Sequence, residues 1–373
     1  MRDEVVTLLR VTCLAVLASS LIPHPSSLGN DFRLAVPGYQ FEFPRDHGSH
    51  DEYRTEWWYY TGHLRTDGGR RYGFEVTFFR VGVTTGEHAT NTRWDLRHLA
   101  LAHFAITDIT GGQFRYYEKL NRVSPFTAGA ATGRLQVFNE GWRATTAADG
   151  SWRLQASANG DAIDLVLRAA KPPAVHGENG VSVKAEGEGY ASHYYSMTRL
   201  LVSGSVTAKG RKAEPCSGLA WMDHEFGSAE LREHQQGWDW FSVQLDNETE
   251  LMLYVIRKAD GTPDVTSSGS LITDTGRVIH IRHDQMRIRP ERTWRSPRSG
   301  ATYPLGWTLD VPSLRITLRV TPLLDDQELV TKESTQVTYW EGAVDVTGSF
   351  NDISVRGAGY VEMTGYDRAF RQP

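Results

Sequence analysis

The chain has 373 residues, 40% hydrophobic and 23% charged, the balance of an ordinary folded protein, and its length favours two domains over one. A net charge of -5 leaves no basic surplus, so neither nucleic acid nor an anionic membrane surface is indicated as a partner. The 11 Trp, 15 Tyr and 14 Phe stand out, and they point to large β cores or to a cavity lined by rings.

At the N-terminus an apolar run from Val11 to Ile22 follows Arg10 and carries the small residues Ala18, Ser19 and Ser20. Residues 1–28 read as a secretory signal peptide, too short for a membrane-spanning helix, and imply a secreted, periplasmic or cell-envelope protein. Cys13 lies inside this run. Cys216 then stands alone in the mature chain, without an internal disulfide, and reads as a small buried apolar residue. No other stretch is long and apolar enough to span a bilayer; peripheral membrane contact stays open.

The next element is "TEWWYYTGHL", Thr55 to Leu64. Its rings favour a strand. Side chains alternate along a strand, so Glu56, Trp58 and Tyr60 point one way and Trp57, Tyr59 and Thr61 the other. Aromatics on both faces predict that both faces are covered. "RRYGFEVTFFRVGV" alternates as well, and "RHLALAHFAITDITGGQFRYYEKL" reads as two strands around Gly111-Gly112. Asn159-Gly160 marks a tight hairpin, and "WDWFSVQLDNETELMLYVIRK" is a second hairpin around Asp246-Asn247. Long helical periodicity is nearly absent. Short strands broken by turn residues predict an all-β sandwich or barrel.

"WWYYTGHL" at 57–64 aligns without gaps to "WDWFSVQL" at 238–245, each followed by a polar turn and an apolar strand ending in Arg80 or Arg257. Such an echo predicts two similar β-barrel units in tandem, over 35–228 and 235–373. One face of each strand would line a barrel interior. The outer face of the 55–64 strand would meet the neighbouring barrel.

Acids, His and rings concentrate in three segments: the one around Glu56, "GEGYASHYYSMTRL" with His193, Tyr194 and Tyr195, and "GLAWMDHEFGS" with Trp221, Asp223, His224 and Glu225. Adjacent residues of an extended chain face opposite ways, and no HExxH or paired Cys occurs, so no metal is expected. GxSxG is also absent. A carboxyl among rings has another use. Burial raises its pKa, so it keeps a proton to donate as a general acid, and ring faces stabilise a cation formed nearby. That combination suits protonation of a carbon–carbon double bond and capture of the cation by water. The structural alternative is that Glu56, Asp223 and Glu225 only satisfy donors where strands meet.

"YRTEWWYYTGHL", "GYASHYYSMTRL", "GLAWMDHEFG", "GWDWFSVQL" and "YWEGAVDVTG…GAGYVEMTGY", in this order, resemble the AttH-like and carotenoid 1,2-hydratase family over roughly residues 38 to 370. The resemblance implies two lipocalin-like antiparallel β-barrels packed in tandem. It also implies water addition without a cofactor, with acid–base residues in a His-x-aromatic and an aromatic-x-Asp segment. The matching positions are His193 and Tyr195, then Trp221 and Asp223. By this resemblance Asp223 would donate the proton, His193 would position or deprotonate water, and Tyr195 and Trp221 would hold the cation. Both aromatic positions depart from the hydratase pattern, which implies a different substrate, as does the export signal. The ligand is expected to be an apolar, isoprenoid-like small molecule contacted by Glu56, Trp58, Tyr60, Tyr194 and Glu225. Glu56 is expected to hydrogen-bond to His193 or to the Asp223 segment. Two function classes stay open: a cofactor-independent hydratase or hydrolase, and a non-catalytic lipocalin-like carrier.

Overall fold

Strand alternation organises the molecule. A computed structural model describes residues 32–83, 96–229 and 231–371; the candidate signal at 1–28, with Cys13, lies outside them. The first sheet opens with β1 (Thr55–Thr66), β2 (Arg71–Gly82), β3 (His98–Asp108) and β4 (Gln113–Arg122). It continues through β5 (Ala128–Ala130), β6 (Gln136–Asn139), β7 (Trp142–Thr146), β8 (Trp152–Ala158) and β9 (Asp161–Ala169). Two short strands, β10 (Ala174–Val175) and β11 (Ser182–Val183), precede the long β12 (Ala191–Thr207) and β13 (Glu214–Gly227). The second sheet holds β14 (Gln235–Leu245), β15 (Glu250–Lys258), β16 (Ser268–Ile272), β17 (Val278–Arg282) and β18 (Arg287–Arg295). It ends with β19 (Thr302–Val311), β20 (Ile316–Pro322), β21 (Glu328–Val330), β22 (Thr338–Phe350) and β23 (Ile353–Thr364).

The strand orders are β4-β3-β2-β1-β13-β12-β9-β8-β7-β6-β5 and β17-β16-β15-β14-β23-β22-β20-β19-β18. The first strand of each sheet therefore sits between its hairpin partner and the sheet's last strand. The echo between 57–64 and 238–245 marks this shared position. Each sheet curls on itself. Phe104 of β3 meets Trp142 of β7 across the first interior, with ring centroids 5.7 Å apart. The second interior is closed by Phe241, Trp307 and Trp340. The fold is thus all-β, two curled antiparallel sheets packed together, with 3-10 turns as the only helical elements among the described residues.

Residues of β1 divide as alternation requires. Trp58, Tyr60 and Leu64 enter the first interior. Tyr59 and the half-buried Trp57 join a separate cluster with Trp221, Trp240 and Tyr254, which lies between the sheets. The sheets close tightly at Gly73, where an added Cβ would lie 2.5 Å from the Tyr360 hydroxyl and 2.8 Å from Ala343 Cβ. A buried ion cluster ties them further: Glu250 of β15 accepts from Lys171 at 2.9 Å and from Arg199 of β12 at 2.5 Å. Asn159 and Gly160 both take positive φ at the β8–β9 turn, as a two-residue hairpin demands. Cys216 is buried in the first interior, and burial pushes its thiol up to about 11. No helix among the described residues is long and apolar enough to cross a membrane.

Candidate active site between the two barrels

Register builds the site. Across β1 and β13, Trp57 pairs with Glu225, Tyr59 with Asp223 and Thr61 with Trp221. Across β1 and β2, the same three pair with Phe79, Thr77 and Glu75. Tyr194 and Ser196 of β12 lie opposite Glu225 and Asp223, and His103 of β3 lies opposite Thr77. Residues in register share a face, so five neighbouring strands turn acids, rings and His103 outward from the first barrel. The second sheet answers with Trp240 and Tyr254 opposite each other, and Trp240 and Glu341 each opposite Glu362. Between the two faces lies a cavity of about 180 Å³.

Asp223 is 4% exposed on its wall. It accepts from Tyr194 Oη at 2.7 Å, from Trp221 Nε1 at 2.5 Å and from Ser196 Oγ. Burial drives its pKa up and prevails over those three donors, placing it at about 7. Behind it, Ser196 gives its only proton to Asp223, so it accepts from His176 Nε2 at 2.6 Å. His176, held neutral by burial with a pKa near 3, then accepts on Nδ1 from Ser270 at 2.9 Å. The carboxyl is fixed from both barrels. Glu225, two residues on and on the same face, is paired instead with Lys184 at 3.0 Å and accepts from Ser192 at 2.5 Å. Two carboxyls in unlike surroundings, one desolvated and one beside a cation, are the usual arrangement of an acid and a base.

Further acids crowd the interface: Glu341 and Glu362 line the far wall, and Glu75 of β2 is buried in the facing sheet without lining the cavity. Burial raises Glu362 to about 7 and Glu75 to about 8, and it raises Glu341 well above its ordinary range, with Glu362 and Glu75 adding like-charge repulsion. Tyr59 donates to Glu341 Oε1 at 2.7 Å. Among the described residues, Glu75 Oε2 and Glu341 Oε2 are buried without a hydrogen-bond partner. Leaving a buried polar atom unpaired is unfavourable, so a ligand hydroxyl or carbonyl aimed at this wall would be stabilised. Aromatic surfaces of Trp57, Trp238, Trp240 and Tyr254 make up much of the rest.

The residues expected from the sequence divide between two places. Asp223, Trp221, Tyr194 and Glu225 line or back this cavity. His193 and Tyr195, expected to share one acid–base site with Trp221 and Asp223, do not join them at this cavity. Alternation along β12 turns both away from the Tyr194 face. His193 stacks on Tyr39 at 4.3 Å and donates from Nδ1 to Gly180 O at 2.7 Å, while Tyr195 Oη lies 2.7 Å from His47 Nδ1 inside the first barrel. Trp58 and Tyr60 pack in that interior and do not line the cavity between the sheets.

Glu56 is fully buried and bonds to the Asp223 segment through its neighbour, accepting from His224 Nε2 at 2.8 Å. It also accepts from His50 Nδ1 at 2.9 Å and from Arg80 Nε at 2.9 Å. Burial would raise this carboxyl, but Arg80, His224 and His50 hold it well below its ordinary value. His50 is depressed by burial yet held up at about 9 by its bonds to Asp46 and Glu56. Ligand atoms of His50, Glu56 and His224 lie within 4.8 Å of one another, which would suit a metal by spacing. Their chemistry does not fit one. Both imidazoles already donate to Glu56, His50 is a cation, and Arg80 fills the second carboxylate oxygen. The group is an ionic knot that anchors β1, β2 and β13.

Glu75, Glu341, Glu362 and Lys184 are passed over by sequence reasoning. The available signal is an acid inside an otherwise apolar strand, as in "YVEM" around Glu362.

These groups make stability depend on pH. Asp223, Glu362 and Glu75 have raised folded pKa values, so their contribution is complete below their ordinary values of about 4 and is lost progressively as pH rises to about 7 to 8. His47, His103 and His176 have folded values depressed to between about 3 and 4, so they favour the folded state above their ordinary 6.5 and lose that contribution as pH falls below it. Asp46 and Glu56, both depressed, stay ionised across this window. The acids and the three histidines offset each other between about pH 4.5 and 6.5; above 6.5 the histidine contribution is complete, while the acids, and His50 with its raised value of about 9, still lose theirs. The melting temperature is therefore expected to fall as pH rises from about 6.5 to 8.5. A scan from pH 4.5 to 9 checks this; a steady rise up to pH 8.5 would contradict it.

Three comparisons place this architecture among known proteins. The solved structure of an AttH candidate from Nitrosomonas europaea superposes with a TM-score of 0.80 at 34% identity, over 90% of this chain and 99% of that one. Kievitone hydratase of Fusarium solani subsp. phaseoli is 24% identical over 302 residues, 75% of this chain and 81% of the relative. The crystal structure of kievitone hydratase from Nectria haematococca shares the fold, with a TM-score of 0.68 at 15% identity over 90% of this chain and 94% of that one. The AttH-like family model matches residues 34–366, nearly the whole described length, and this chain belongs to the AttH-like family.

Proposed function

We propose that the protein is a cofactor-independent hydratase acting on a neutral, mainly apolar alkene held between the two barrels. One observation carries the reading: Asp223, buried among rings with a pKa near 7, lies two residues from the Lys184-paired Glu225 on the same face. Asp223 gives its proton to one alkene carbon as the π bond breaks, and the cation forms at the other carbon. The faces of Trp57 and Trp240 stabilise that cation. Water adds to it, and Glu225 takes the surplus proton. Microscopic reversibility makes the same pair competent for dehydration. Similarity to kievitone hydratase supports the reaction class. The unpaired oxygen of Glu341, which lines the cavity, suggests a substrate with a polar end. The signal-like run at 1–28 supports an exported enzyme.

The test is to offer the protein a small-molecule extract of its source in heavy-oxygen water and to follow bound and released compounds by mass spectrometry. A compound that gains one labelled water is expected. An apolar compound retained unchanged would instead establish a carrier.

A further inference from the structure

Tyr339 lines the same cavity, from β22. Its hydroxyl lies 2.6 Å from His103 Nδ1. On the other side of that ring, His103 Nε2 lies 2.9 Å from Ser334 Oγ. Ser334 donates to Glu118 Oε2 at 2.6 Å, and Glu118 is half-buried on β4, at the outside of the molecule. Glu118 Oε2 also accepts from the Glu333 amide at 3.1 Å.

The directions of these bonds follow from the proton count. Ser334 has one proton and gives it to a carboxylate, so it must accept from His103 Nε2–H. Burial keeps His103 neutral, with its pKa depressed to about 3. A neutral imidazole has one N–H, so Nδ1 accepts from the Tyr339 hydroxyl. Every link is thus oriented from the cavity outward. The groups acting on Tyr339 from around it are Glu75, Glu341, Glu362 and Glu118, all acids. A solely structural role for this chain would not require the far end to be a titratable group reaching toward solvent.

We propose that Tyr339, His103, Ser334 and Glu118 form a proton relay between the cavity wall and the protein surface. The inference rests on reading the cavity as an acid–base site. One proton enters at the Tyr339 oxygen as its own passes to His103 Nδ1. The Nε2 proton moves to Ser334, whose hydroxyl proton moves to Glu118. One proton has then left the cavity, and His103 has changed tautomer; the reverse sequence returns one proton and restores the starting state. Such a path serves a site that must exchange protons while an apolar ligand excludes water from it.

Deuterated water is the probe. The carbonyl stretch of protonated Glu75, assigned by its loss in Glu75→Gln, shifts when its proton exchanges for deuterium. Mixing into deuterated water is expected to shift the band promptly in the parent, and about tenfold or more slowly in Ser334→Ala. Added imidazole is expected to restore the fast exchange. Equal rates in parent and Ser334→Ala would overturn the relay. Histidine-selective nitrogen-15 spectra read the starting state independently of any cavity acid: His103 is expected as the neutral Nε2–H tautomer, and an Nδ1–H tautomer would also overturn the relay. Absence of any protonated-carboxyl band in the parent would defeat the acid–base reading of the cavity instead, leaving the tautomer spectrum to decide the relay.

Discussion

Asp223→Asn is expected to lower turnover by on the order of 10² to 10⁴, the range that positioned proton transfer supplies. The substitution removes the transferable proton but keeps the shape. The amide oxygen still accepts from Ser196 and Trp221, and the new N–H₂ finds the Tyr194 oxygen, 2.7 Å from the present carboxyl. Binding should therefore survive, with the loss in kcat and not in KM. In the parent, activity should decline as pH rises through about 7, where Asp223 gives up its proton. In the variant that limb should disappear. Steady-state rates of labelled-oxygen incorporation at several pH values check both. A variant with parental kcat would remove Asp223 from the mechanism.

Glu56→Ala is expected to destabilise the fold by about 3–5 kcal/mol, the usual consequence of stranding buried charge. Arg80 donates to Glu56 and to the His50 and Tyr53 carbonyls, and it is only 5% exposed. His50 is cationic and 7% exposed. Removing the carboxylate leaves both inside the first barrel with less compensation, and frees His224, which stacks on Trp58 at 4.7 Å. Urea unfolding followed by Trp fluorescence measures the change. Glu56→Gln should lie between parent and Ala, since it keeps the acceptor oxygen and loses the charge. A change below about 1 kcal/mol for Glu56→Ala would show that the knot is not what holds β1 in place.

Much of the architecture was legible because it is local. Period-two alternation announces the strands, and Asn159-Gly160 announces its turn by the positive φ both residues adopt. The two-faced aromatic strand correctly implied a covered outer face, since Trp58 and Tyr60 fill the interior while Tyr59 meets the second sheet. The site was harder to read because it depends on register. Nothing local states that Ser196, and not Tyr195, lies opposite Asp223. A shift of one residue would exchange the faces and place Tyr195 and His193 at the cavity. Family resemblance named residues in two strands without saying which way each points. Glu341 and Glu362 come from the other sheet, more than a hundred residues along the chain from Asp223, and only tertiary packing brings them near.

The proposed chemistry depends on Asp223 holding a proton in the cavity near neutral pH. Infrared difference spectra of parent minus Asp223→Asn test it without a substrate. A protonated-carboxyl carbonyl band is expected at pH 6, present in the parent, absent from the variant and lost from the parent as pH rises through about 7. A difference spectrum showing only ionised carboxylate at pH 6 would contradict it.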